Sequence, residues 1–121
     1  MTLNMKKTEY TKTAKLFIQH KLETDQRWLS RAIQVIFDHQ TRDEQAQEQT
    51  SHSNGIGFNG SDAQLMSSFA KQIYRGRQLS ERQLHWAKRK MKKYWRQVFT
   101  VADREKFNSQ LSVWLEEKRA A

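Results

Sequence analysis

The stretch RGRQLSERQLHWAKRKMKKYWRQ, residues 75–97, decides how this chain is read. Ser80 followed by Gln83 fits a capping box, in which a hydroxyl and an amide each satisfy an orphan backbone N–H at a helix start. From there to Phe99 no Gly or Pro interrupts the chain. At about 100° per residue, Leu84, Ala87, Met91, Tyr94, Trp95 and Val98 share a stripe roughly 100° wide, the signature of a helix lying on a core. The spacing predicts one helix over 80–99. Its opposite face carries Arg82, His85, Arg89, Lys90, Lys92, Lys93 and Arg96, with Trp86 among them.

Charge singles out the same stretch. From Lys71 to Arg96 there are ten Lys/Arg and one acid, Glu81, which together equal the whole formal net charge of +9. The remaining basic and acidic residues cancel. A concentrated cationic patch on an otherwise neutral molecule is how phosphate-binding surfaces are built. An aromatic ringed by cations can stack a base while the charges hold the backbone. The plainer alternatives are a merely solvated Lys/Arg face, and a Trp86 that packs against a second helix.

Working outward, Ser61 to Tyr74 places Leu65, Met66, Phe69, Ala70 and Ile73 at helical spacing, with Ser61 and Gln64 as a second capping box and Gly76 as a left-handed cap. The two helices (61–75 and 80–99) form a hairpin, which is also the outline of a helix-turn-helix reader. Upstream lies SHSNGIGFNGSD, where Gly55, Gly57 and Gly60 spell G-x-G-x-x-G. The dinucleotide fingerprint needs a preceding buried strand, and EQAQEQT has no strand character, so that reading is rejected. The glycines are expected to make tight turns while Ile56 and Phe58 plug the core. The alternative is a backbone-lined anion site, with which Asp62 would compete.

Toward the N-terminus, Ala14, Phe17, Ile18 and Leu22 predict a first helix, after a flexible tail over residues 1–8. Thr24 is read as the cap of a second helix. That helix is apolar over about half its circumference from Trp28 to Phe37, as a central helix is. Gln40 to Thr50 has nothing to bury and is read as a frayed end entering a loop. At the other end Thr100, with Asp103, is read as the cap of a last helix carrying Phe107, Leu111, Trp114 and Leu115. The expected fold is all-α, a compact bundle of about five helices forming a single domain over 9–121, with its hairpin central.

The apolar fraction is only 36%, so four Trp, six Phe and three Tyr must supply the bulk of the core. Without cysteine there are no disulfides or thiolate metal sites, which fits a reducing cytoplasm. No run approaches the ~20 apolar residues that span a bilayer, and no apolar leader opens the chain, so neither membrane nor export is expected. The four histidines show no metal spacing. Asp38, Asp43 and Glu44 are the only carboxylates that suggest a Mg²⁺ site, and a polar helix end carries such residues by default. No nucleophile elbow or Walker loop is present. The expectation is a protein without enzymatic activity, cofactor or metal.

Several short runs resemble a family of short proteins from bacteriophages and integrating or conjugative elements. They begin with Trp28 and Ala32, then Gln40-Thr41 and Asp43-Glu44-Gln45, then Asn54 to Gly60 with Asp62-Ala63. They continue through Ser67-Ser68, Ala70, Gly76, Leu79-Ser80 and Gln83 to Lys93-Tyr94 and Gln97. The most specific part is G-F-x-G-x-D-A, followed by L-S-x-x-Q and K-Y-x-x-Q. The resemblance implies a mobile-element setting in a bacterial host cytoplasm and no particular reaction. Such elements encode proteins that coat their own DNA and others that disable host defence.

The sequence therefore points to a non-enzymatic nucleic-acid-binding protein. Arg82, Lys88, Arg89, Lys92, Lys93 and Arg96 are the expected phosphate contacts, Trp86 a stacking platform, and Arg75 and Arg77 flanking charge. Five or six neutralised phosphates predict a log–log salt slope of roughly −5. The alternative partner is a host defence complex, such as a CRISPR effector, or a replication complex, docked on the hairpin.

Overall fold

A computed structural model describes residues 5–50 and 55–120, with the side chains of 43–50 outside that description. Six α-helices follow in order: α1 (Lys7–Thr24), α2 (Gln26–Thr50), α3 (Ala63–Tyr74), α4 (Glu81–Met91), α5 (Trp95–Val101) and α6 (Arg104–Ala120). A 3₁₀ turn, Lys92–Tyr94, joins α4 to α5 without a gap, so the described residues make five helical segments. The described residues contain no strand. The protein is all-α, as its periodicity predicts.

The helix with the broad apolar arc is the central one. α2 packs against α1, α3, α4 and α5, with Leu29, Ala32, Ile33 and Ile36 buried. α1 buries the four residues its spacing marks, Ala14, Phe17, Ile18 and Leu22. Phe17 is the aromatic hub: the rings of Phe107 and Trp114 each lie 5.4 Å from it, and that of Trp28 lies 6.1 Å away. These tilted and edge-on contacts suit the ring quadrupoles. α6 is held over α1 and α2 by Tyr10 donating to Asn108 (2.6 Å) and Trp28 donating to Gln110 (3.1 Å).

Several boundaries differ from expectation. α1 starts at Lys7, inside the segment expected to be a flexible tail, of which Met1 to Asn4 lie outside the described residues. α2 is helical through Thr50, the whole length of the segment expected to fray into a loop. Gln40 to Thr50 has no Gly or Pro and is rich in Gln and Glu, good helix formers whether or not they bury anything. Asp25, not Thr24, caps α2, accepting from the Trp28 N–H at 3.2 Å, while the Thr24 hydroxyl donates back to His20 O. Asp103, not Thr100, caps α6 by accepting from Lys106 N–H at 3.0 Å. The Thr100 hydroxyl instead donates to Arg96 O within α5.

The capping box expected at Ser61 and Gln64 does not form either. The residue before α3 is Asp62, and Ser61 donates to the Asn59 side chain. Leu65, expected in the core, is 39% exposed on the outer side of α3.

Candidate nucleic-acid interface

The turn that launches the basic helix is built as its residues require. Gly76 is left-handed (φ 78°); its N–H donates to Ile73 O at 2.9 Å and that of Arg77 to Gln72 O at 3.2 Å. This double bond closes α3 as a Schellman motif. The capping box of α4 is complete, with Ser80 Oγ accepting from Gln83 N and Gln83 Oε1 accepting from Ser80 N. The side-chain amides of Gln72 and Gln83 then bond reciprocally at 3.0 Å each way. The hairpin is thus pinned at its tip, with Arg75 and Arg77 exposed there.

The expected apolar stripe is inside: Ala87, Met91, Tyr94 and Val98 are buried, and Leu84 and Trp95 pack against them. The helix is not continuous, however. It tightens into the 3₁₀ turn at Lys92–Tyr94, where Tyr94 has φ −94° and ψ 13°. Lys90, in the last turn of α4, and Lys93, in the 3₁₀ turn, converge on a single carboxylate.

That carboxylate is Asp62. It is fully buried, and two lysines reach it. Lys93 Nζ lies 2.7 Å from Oδ2 and Lys90 Nζ 3.0 Å from Oδ1, and the Tyr94 hydroxyl donates to Oδ2 at 2.7 Å. Burial alone would push the Asp62 carboxyl up. The bonds from Lys93, Tyr94 and Lys90 outweigh it and lower it to about 2. Burial, reinforced by the Asp62 charge, pushes the Tyr94 hydroxyl up to about 12. Oδ1 has no well-angled hydrogen bond, so the ion pair with Lys90 is what satisfies it.

The same corner holds the glycine loop. Tyr94 OH accepts from Asn59 N–H (2.9 Å), and Gln40 Oε1 accepts from Phe58 N–H (2.8 Å). Gln97 takes both backbone groups of Gly57, accepting from its N–H at 2.9 Å and donating to its carbonyl at 3.0 Å. Phe58 is buried edge-on against Tyr94, at 5.4 Å, as the core plug it was expected to be. Because the N–H groups of Gly57, Phe58 and Asn59 already have side-chain acceptors, this loop does not offer them to a phosphate. Asp62 precedes α3 but does not cap it; its carboxylate is engaged by Lys90, Lys93 and Tyr94. The run G-F-x-G-x-D-A and the run K-Y-x-x-Q are therefore partners in one hydrogen-bonded unit, and L-S-x-x-Q is the helix cap.

The expected phosphate contacts divide accordingly. Lys93 is held by Asp62, and Lys92 lies 3.1 Å from Glu23 in a half-exposed surface pair. Arg96 stacks on Trp95, at 4.8 Å. Arg82 and Arg89 are exposed, and Lys88 is half-buried, lining the flank that faces Glu23. Trp86 is 40% exposed, with the Arg89 guanidinium 5.8 Å from its ring and His85 edge-on at 5.7 Å. Sequence reading missed Asp62, Lys90 and Gln97 as a structural unit. The spacing of Lys90 and Lys93 was the available signal.

Of the three carboxylates weighed as a Mg²⁺ site, only Asp38 has a described side chain. Asp38 accepts from the Tyr74 hydroxyl at 2.6 Å, and that bond raises the tyrosine's pKa. Asp43 and Glu44 lie outside the described side chains. Among the described residues no group of three or more His, Asp or Glu side chains could hold a metal ion. No described helix is long and apolar enough to cross a membrane. No protein-family model, curated protein or solved structure matches the chain.

Proposed function

We propose that this is a non-enzymatic nucleic-acid-binding protein of a phage or mobile element, acting in a bacterial host cytoplasm and gripping phosphates through the hairpin of α3 and α4. The observation that carries this reading is the charge left over after internal pairing. Of the ten cations between Lys71 and Arg96, only Lys90, Lys92 and Lys93 form ion pairs with described residues. Lys71, Arg75, Arg77, Arg82, Lys88, Arg89 and Arg96 are left without a described carboxylate partner, and all but Lys88 are exposed. A folded protein gains nothing internally from crowding like charges, whereas a polyanion releases counterions on binding them.

Removing Lys92 and Lys93 from the six expected phosphate contacts leaves about four, so the salt slope becomes roughly −3.5 rather than −5. The test is fluorescence anisotropy of labelled single- and double-stranded oligonucleotides from low to physiological salt, comparing wild type with Arg82→Glu/Arg89→Glu. Both arginines are exposed, so the fold survives the change. Micromolar or tighter binding that the swap abolishes supports the proposal. No binding at low salt overturns it.

A second reading is favoured by the half-exposed Leu65 and Trp86, which line one depression. Apolar side chains placed so also suit a protein partner, such as a host defence or replication complex. That reading predicts a stoichiometric protein complex that survives moderate salt, and no oligonucleotide binding.

A further inference from the structure

The two flanks of α4 are not equivalent. On the α1 side, Lys88, Arg89 and Lys92 share a depression with Glu23 and Glu81. On the α3 side lie two shallow depressions that meet at Ser68. One is lined by Gln64, Ser67, Lys71 and Arg75, the other by Leu65, Ser80, Arg82 and Trp86. Neither is lined by an acidic residue among those described. A strand laid on the α1 flank meets two carboxylates. On the α3 flank it meets only cations, hydroxyls, amides and apolar surface.

We infer that the seam between α3 and α4 is a track for single-stranded nucleic acid, where Lys71, Arg75 and Arg82 hold phosphates and Trp86 with Leu65 receives a base. This rests on the nucleic-acid reading above and narrows it. Lys71, in the last turn of α3, and Arg75, its C-cap, are about one helical turn apart, about 6 Å along the helix axis, comparable with the step between neighbouring phosphates of an extended strand. Trp86 is 40% and Leu65 39% exposed, which leaves enough apolar surface for one base to cover. A duplex keeps its bases stacked and paired, so it gains only the phosphate contacts, whereas an open strand gains the stack as well. Ser67, Ser68 and Gln64 supply neutral donors between the charges.

The experiment is anisotropy titration at low salt of labelled oligothymidylate, oligoadenylate and a duplex of equal length against the full chain. Two charge swaps separate the flanks: Lys71→Glu/Arg75→Glu in the seam and Lys88→Glu/Lys92→Glu on the α1 side. Trp86→Ala and Trp86→Phe test the stack, and thermal unfolding by circular dichroism confirms that each variant is folded. The expected pattern is tighter binding of single strands than of duplex, and a loss of about ten-fold or more from the seam swap against about three-fold or less from the α1-side swap. Trp86→Ala should weaken single strands about five-fold or more with little effect on duplex, and Trp86→Phe should restore most of it.

A silent seam swap beside a damaging α1-side swap overturns the seam and leaves the nucleic-acid reading standing. Equal losses of single-strand and duplex binding in Trp86→Ala do the same for the single-strand assignment. Failure of wild type to bind any of the three probes overturns both.

Discussion

Replacing Asp62 by asparagine should pull stability and polyanion affinity in opposite directions. The carboxylate is fully buried and satisfied by Lys93, Lys90 and Tyr94, which hold its pKa at about 2 instead of 3.8. At 1.36 kcal/mol per unit, that depression corresponds to about 2.4 kcal/mol of stability at neutral pH. The lysines that close the site are themselves 29% and 48% exposed and can swing into water once released. Discounting for that screening gives about 2 kcal/mol, which for a chain of this size lowers Tm by roughly 8 °C.

The sign of the pH dependence follows from the lowered pKa. The stabilisation is fully present above the unfolded value near 3.8 and is lost as pH falls from about 4 toward about 2. Thermal unfolding of wild type and Asp62→Asn from pH 7 to pH 2 should therefore show a gap that closes over that interval. At pH 7 and moderate temperature the folded variant has two freed lysines and one negative charge fewer. It should bind oligonucleotide more tightly, with a steeper salt slope. A variant as stable as wild type at pH 7, or a gap that persists to pH 2, would refute the account of the Asp62 site. Weaker oligonucleotide binding by the folded variant would refute the claim that Asp62 withholds these lysines from the surface.

Three further changes probe the scaffold by denaturant or thermal unfolding. Gly57→Ala sets a Cβ 3.3 Å from the Gln40 side chain, which must shift away from the Phe58 N–H; the cost should be about 1–2 kcal/mol. Phe17→Ala empties the aromatic hub and should cost about 3–5 kcal/mol, with Phe17→Leu markedly milder. Ser80→Ala breaks one half of the α4 capping box and should cost about 1 kcal/mol.

What the sequence made legible was whatever depends on neighbours along the chain. The four buried positions of α1, the cap at Ser80 and the left-handed Gly76 each follow from residues a few places away. The misplaced caps have different causes. At Thr24-Asp25 two adjacent polar residues compete and Asp25 takes the cap, while Ser61 is drawn to the Asn59 side chain. Thr100 had a third option, bonding back into its own helix. The pairing of Lys90 and Lys93 with Asp62 was invisible because that carboxylate is remote in sequence and on another segment. For the same reason Lys93 read as a free cation on a basic face, although its ammonium is paired with a buried carboxylate. Counting charge on a helical wheel assumes that every outward lysine faces solvent, and a carboxylate arriving from elsewhere defeats the count.

The side chains that hold the glycine loop also tie its formation to the assembly of the bundle. Gly57, Phe58 and Asn59 have no strand partner; their amide hydrogens are captured by Gln97, Gln40 and Tyr94, which come from α5, α2 and the 3₁₀ turn. None of these acceptors is local, so the loop gains its protection only after those elements have docked, late in folding. In hydrogen exchange its three amides should therefore persist alongside the core helices rather than exchange at the pace of an ordinary surface loop. They report whether α2 and α5 are together.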